Sequence, residues 1–362
     1  ANTTASNNTA VGAATLDANT TGTQNVAVGG AALGACTTGS YNTSVGYAAL
    51  DGLTTASYNT AFGHEALTAA VSGANNTGIG VGALAANTTG ASNTAVGYLA
   101  LTANTTADSN VAVGTSALDA NTTGTENVAM GAGALGANIT GSSSTAVGHN
   151  ALLVNTADDN TAFGRRALYA NTTGSSHVAV GLSALGANTT SAANTAVGYR
   201  AMELNTTGGY NVGVGTYALA DCTTGTHNTA VGAYAADNLT TGTHNTALGQ
   251  NALAVVSDAG SNVAIGYDVL KTCNGASNTG VGTSSLLYCS SGTYNIGLGV
   301  VAGRDISTGD NNMMLGYTAG LAGSPGGQIT TEDNIIVLGD ENISAANIQV
   351  DWTIASDKRD KT

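Results

Sequence analysis

The sequence predicts an all-β chain wound as a repetitive parallel β-solenoid or β-roll fibre with 17-residue repeats. Three features carry that prediction: a phased glycine, an alternating β-branched segment before it and a leucine after it. The glycine closes nineteen near-copies of one unit between Asn8 and Gly316: Asn-Thr-Ala-Val-Gly, two variable residues, Ala-Leu, two residues, Asn-Thr-Thr-Gly and two more. It recurs at Gly12, Gly29, Gly46 and onward, and sixteen of the eighteen intervals are 17 residues, the other two 16. So regular a period describes units that stack on one another, not a globule around a pocket.

The strand comes first in each unit. The residue before the glycine is always apolar (Val11, Val28, Val45, Phe62, Ile79), and two residues earlier stands almost always Thr or Val. Alternation of branched residues predicts a short strand with one buried face, formed by these branched residues. The other face carries Asn, then Ala or Gly, then the glycine, small groups suited to close backbone approach. Four residues after the glycine stands Leu in 15 of the 19 units, with Met202, Ala236, Gly303 and Gly320 as exceptions. A unit of 17 residues barely holds a helix, a strand and two turns, so a coil of solenoid is the better reading.

Seven residues after the glycine Asn recurs, as at Asn19, Asn87, Asn104 and Asn121, each opening an Asn-Thr-Thr triplet or a close variant that matches the glycosylation sequon. The same column also holds Cys36, Leu53, Ala70, Cys222, Leu239, Val256, Cys273, Cys289 and Ile306. Apolar side chains replace Asn only where the position faces inward, so the column predicts an internal amide ladder and sequons closed to a glycan. All four cysteines sit in this column and read as small buried apolar residues, not as a disulfide framework or a metal site.

The variable columns point to solvent. Tyr47, His64, Tyr98, His149, Arg165, Tyr199 and Tyr267 share one; Tyr41, Tyr58, Tyr210, His227, His244 and Tyr294 share another and are the candidate receptor-contacting residues. His227 and His244 lie one repeat apart, but two ligands do not make a metal site.

Composition narrows function. A net charge of -14 with eight Lys and Arg disfavours nucleic acid or anionic lipid as a partner, and no apolar run reaches membrane-spanning length. Phosphate-loop, zinc-protease and nucleophile-elbow motifs are absent, as are calcium-binding nonapeptides, so no cofactor is expected. Acidic residues such as Asp108, Glu126, Asp158, Asp159 and Asp258 fall on turn positions, and no unit has an insertion that would wall a catalytic cleft. Ala1 is expected to be a processed or truncated start.

Three segments follow: a repeat shaft over 1–322, cap or adaptor strands over 323–355 that hold Pro325 and Trp352, and a separate start at 356–362. That last stretch, Ser356-Asp357-Lys358-Arg359-Asp360-Lys361, resembles the opening of the intramolecular chaperone domain of phage tail fibres and tailspikes, the endosialidase-type chaperone or S74 peptidase family. The resemblance implies Ser356 as nucleophile, Lys361 as its general base, cleavage after Ala355, and a chaperone body beyond Thr362 that trimerises three chains. The Asn-Thr-Ala-Val-Gly array also resembles the shafts that carry this chaperone and, more loosely, the β-roll heads of trimeric autotransporter adhesins. The implied protein is a homotrimeric, extracellular tail fibre of a virion whose partners are its own copies and a host glycan or protein receptor. Alternatives are a bacterial trimeric surface adhesin, an ice-binding solenoid suggested by Thr20-Thr21 and Thr37-Thr38, and a polysaccharide-degrading solenoid.

Overall fold

A computed structural model describes residues 4–344. Twenty strands of three residues each, from β1 (Thr9–Val11) to β20 (Ile336–Leu338), each pair in parallel with the next strand along the chain. The register is one repeat per step throughout, as in Thr94↔Val111, Ala95↔Ala112 and Val96↔Val113. The rest of each coil is turn and bend, and the described residues contain no helix. Coil-to-coil backbone bonds continue outside the strands, for instance Leu84 N–H to the Ala100 carbonyl and Thr88 N–H to that of Thr105.

The strand faces are the reverse of the sequence expectation. The middle residue of the strand, usually Ala, is fully buried, as at Ala95, Ala112 and Ala129, whereas the flanking Thr, Val, Phe and Met face outward. The reason is room. The interior of a 17-residue coil is already filled by the buried Leu, the Ala before it and two columns of Asn. Two branched side chains per strand do not fit there.

Exceptions within the repeat confirm how tightly this interior is filled. Met202 replaces Leu, and the strand residue above it shrinks to Gly213, whose Cβ would lie 2.8 Å from Met202 Cγ. Conversely Gly303 and Gly320 lack the Leu side chain, and Met314 on β19 (Met313–Leu315) occupies the space between them. Volume is conserved across neighbouring coils, as close packing requires.

The closing glycine needs its own backbone. Its φ lies near +135°, for example 141° at Gly97, a region open essentially to glycine alone. A Cβ on Gly97 would also meet Gly114 of the next coil at 2.5 Å. A second glycine column, Gly22, Gly39, Gly90 and Gly124, is equally crowded but has ordinary φ, and there Ala56, Ala107 and Ser191 are accepted. Conformation, more than space, makes the first column invariant. Three further positions per coil are left-handed without being glycine, including the buried leucines such as Leu101 at φ 53°. Each costs about 1 kcal/mol, and stacking in both directions holds it in place.

Beyond residue 322 one further strand joins the stack. After Gly316 an insertion of six residues bearing Pro325 bulges out, and the chain returns to pair β20 on β19 through Met313↔Ile336. The Trp352 strand expected further on lies outside the described residues.

Candidate functional surface

The interior is built from two amide ladders. The expected one is present in two runs: Asn104, Asn121 and Asn138 each donate Nδ2–H to Oδ1 of the Asn one coil before, at 2.8, 3.2 and 3.1 Å, and Asn171 and Asn188 do the same at 2.7 and 2.8 Å. Asn19 and Asn87 are buried in the same column. With the amides turned inward, these sequons are closed in the folded rod.

Sequence reasoning placed the Asn before each strand on an outer face, and it forms the more continuous ladder. Asn42 N–H donates to Asn25 Oδ1 at 2.9 Å while its Nδ2–H donates to the Ala56 carbonyl at 3.0 Å, and coil after coil repeats this pair of bonds. The near-constancy of this Asn along the chain was the available signal. Its bond also explains the tolerance of the first ladder. Asn76 and Asn87 both donate to the Gly90 carbonyl, at 2.8 and 2.9 Å, so where Leu53 replaces the second Asn, the Ala56 carbonyl is still served by Asn42.

Cys36, Cys222, Cys273 and Cys289 are free, fully buried thiols in the first-ladder column. Cys36 and Cys222 point Sγ at the carbonyl three residues on, at 3.6 and 3.7 Å, in the manner of the Asn they replace. Burial pushes the Cys222 thiol up to about 11 and raises Cys36 as well. Cys273 and Cys289 stand 2.8 Å apart, and that contact, followed by burial, raises Cys289. Protonated thiols out of contact with water are poor nucleophiles.

One ladder position is His177. Its Nδ1 accepts Asn194 N–H at 3.1 Å and its Nε2–H donates to the Ser191 carbonyl at 2.9 Å, reproducing the acceptor and donor of the amide. Burial lowers its pKa, so the neutral ring is favoured.

The receptor candidates lie on the outside. Tyr41 and Tyr58 stack at 5.0 Å, and Tyr210, His227 and His244 form a continuous stack at 5.2 and 5.0 Å. Tyr294 is exposed further along the same column. Stacking at coil spacing covers the flat ring faces with the neighbouring rings and leaves edges, hydroxyls and ring nitrogens toward water. The described residues include no group of three or more His, Cys, Asp or Glu able to hold a metal. The acidic turn residues serve the backbone: Asp108 accepts Ala91 N–H at 2.7 Å and Asp158 accepts Ser142 N–H at 2.8 Å. The insertion after Gly316 shapes a groove of about 520 Å³, but its Arg304 and Gln328 are already bound to Asp305.

One outward feature is apolar. Phe62 (55% exposed), Ile79, Met130, Phe163, Leu248 and Leu298 stand in one file along the strands, beside a second file of Thr and Val. No helix in the described residues is long and apolar enough to cross a membrane. Ala355, Ser356 and Lys361, the implied cleavage site, lie outside the described residues. The chain matches no family profile, no curated protein and no solved structure.

Proposed function

We propose that the chain is the shaft of a homotrimeric phage tail fibre that holds a host-attachment surface away from the virion. The observation that supports this reading best is the unpartnered apolar file on the strands. Twenty strands at about 4.8 Å make it roughly 90 Å long, and such a strip exposes on the order of several hundred Å² of apolar surface, the size that marks a protein interface. Three rods with their strips toward a shared axis would remove it from water. Coils this alike can pair one unit out of register, which is the problem an end-fixing chaperone, implied by the Ser356 to Lys361 motif, would solve.

Native mass tests the reading: a particle near three times 35.1 kDa is expected, and a monomer sinks it. Phe62→Asp with Met130→Asp and Phe163→Asp should leave the β circular dichroism intact and abolish the trimer. In the chain with its natural continuation, release after Ala355 should stop in Ser356→Ala. The outward files of Thr43, Thr60, Thr77 and Thr94 at coil spacing favour a second reading, an ice-binding face. Thermal hysteresis by a monomeric rod would move the assignment there.

A further inference from the structure

Five of the eight cationic side chains lie in the described residues, and three of them, Arg165, Arg166 and Arg200, line one groove with Leu182 and Ser183. Arg166, Ser183 and Arg200 occupy the same position on three successive coils; Arg165 and Leu182 stand in the adjoining column. Backbone bonds from Ser183 N–H to the Arg165 carbonyl and from Arg200 N–H to that of Leu182, both 3.0 Å, fix this corner of the rod. A second groove, walled by Tyr169 and Glu203, shares Arg166 and Ser183 with the first; the two hold about 240 and 170 Å³.

Two of these charges, Arg165 and Arg166, are held differently from the other cations among the described residues. Lys271 and Arg304 are each in an ion pair, at 3.2 and 2.8 Å, and Arg200 is 3.3 Å from Glu203. Arg165 and Arg166 have no carboxylate partner among the described residues, on a chain with 22 acidic residues to offer. Arg166 instead lies over the Tyr169 ring, 4.6 Å from its centroid, and Arg200 sits 5.5 Å from the Tyr199 ring. At Arg166 stacking occupies the face of the guanidinium and leaves its N–H edge free, the edge that takes a carboxylate in two parallel bonds, whereas Arg200 turns its edge to Glu203 and, through Nη1–H at 3.4 Å, to the Tyr217 hydroxyl.

We infer that the Arg165, Arg166, Ser183 and Arg200 corner binds a carboxylate-bearing sugar of an otherwise neutral glycan. The Arg165 and Arg166 guanidinium edges take the carboxylate, Ser183 takes a ring hydroxyl, and Tyr169 and Leu182 give the apolar walls that a pyranose needs. A polyanion does not fit, because its further charges meet a rod of net charge -14, while a single carboxylate feels mainly the local field within a Debye length of about 8 Å. This inference rests on the attachment reading above, and names the class of sugar.

The test uses the full chain with methyl glucuronide and methyl glucoside, which differ only in the carboxylate, followed by saturation-transfer NMR and competition titration. The glucuronide should bind at least about tenfold more tightly, and Arg166→Gln or Arg165→Gln should each weaken it about tenfold while glucoside binding is unchanged. Equal binding of the two sugars, or variants that bind as the unaltered chain does, overturns the inference. Acetate displacing the glucuronide at equal concentration also overturns it, since the site would then read a carboxylate alone. Native mass reports on the fibre reading separately, so a trimer that ignores the glucuronide rejects this site and leaves the fibre standing.

Discussion

Asn205 ends a ladder and should be better replaced. Both its Oδ1 and Nδ2 are buried without a hydrogen-bond partner, because the next residue in the column is Cys222 and Asn188 Oδ1 below it accepts from Ser191. The Gly208 carbonyl accepts from Asn194 at 2.7 Å and so keeps a partner when Asn205 is replaced. Asn205→Leu therefore breaks no bond, removes two stranded polar atoms and adds apolar volume that this column accommodates at Leu53 and Leu239. An unsatisfied buried polar group costs about 1–3 kcal/mol, so a local gain of roughly that size is expected. Asn121→Leu is the matched control with the opposite sign. It removes bonds of 3.2 Å to Asn104 and 2.9 Å to Gly124, loses that from Asn138, and strands Asn104 Oδ1, a loss of roughly 1–3 kcal/mol. Native-state hydrogen exchange is the assay, because opening in a repeat array is local and a single melting temperature averages over coils. The amides of Met202 and Val212, which bond the next coil, should exchange about tenfold more slowly in Asn205→Leu for each 1.4 kcal/mol gained, and those around Asn121 faster in its variant. Equal signs in the two variants would refute the ladder argument.

The other outcomes follow from titration, backbone and burial. His177 is held neutral in the fold by burial, so its unfolded form binds the proton more readily; stability falls as pH drops through and below the ordinary histidine value of 6.5, and His177→Asn should remove that acid sensitivity from the hydrogen exchange of the coils around it. Burial, then Asp221 on the neighbouring coil, pushes Asp237 up to about 6, so its contribution runs the other way: stability is highest below 3.8 and declines until about pH 6, and Asp237→Asn should flatten that window and raise stability at pH 7. Gly97→Ala, at φ 141° and against Gly114, should cost more than about 2 kcal/mol, while Gly90→Ala should be milder because Ala56 and Ala107 already occupy that column. Iodoacetamide should label none of the four buried cysteines until denaturant is added, which a mass measurement reads directly.

The period made the coil legible, and the mixing of Asn with Cys, Leu and Ile made one interior column legible. The strand faces were misread because branched residues usually mark the buried side of a sheet. Here the buried side is so narrow that only Ala, Gly or Ser44 stands beside Leu, and the branched residues are left outside. The Asn before each strand was missed for the same reason: assigned to the outer face with Ala, it had no evident task, although both its amide atoms bond the neighbouring coils. The pairing of Arg166 with Arg200 across Ser183 was hidden because they lie 34 positions apart in the chain and two coils apart in the stack. The file of Tyr41 and Tyr58 was visible as a column, but the contact between ring faces follows only from the coil spacing.

The strand pairings run along the length of the rod, with one chain crossing each of them in turn. Tension between the two ends therefore loads the coil junctions in series, so the rod is as strong as its weakest junction and gains no strength from added length. Each junction that opens releases one unit of 17 residues, an extension of roughly 50–55 Å once the coil height of about 4.8 Å is subtracted. A single rod pulled in a force spectrometer should lengthen as a ladder of such steps, with early failure where the amide column breaks off at Asn205.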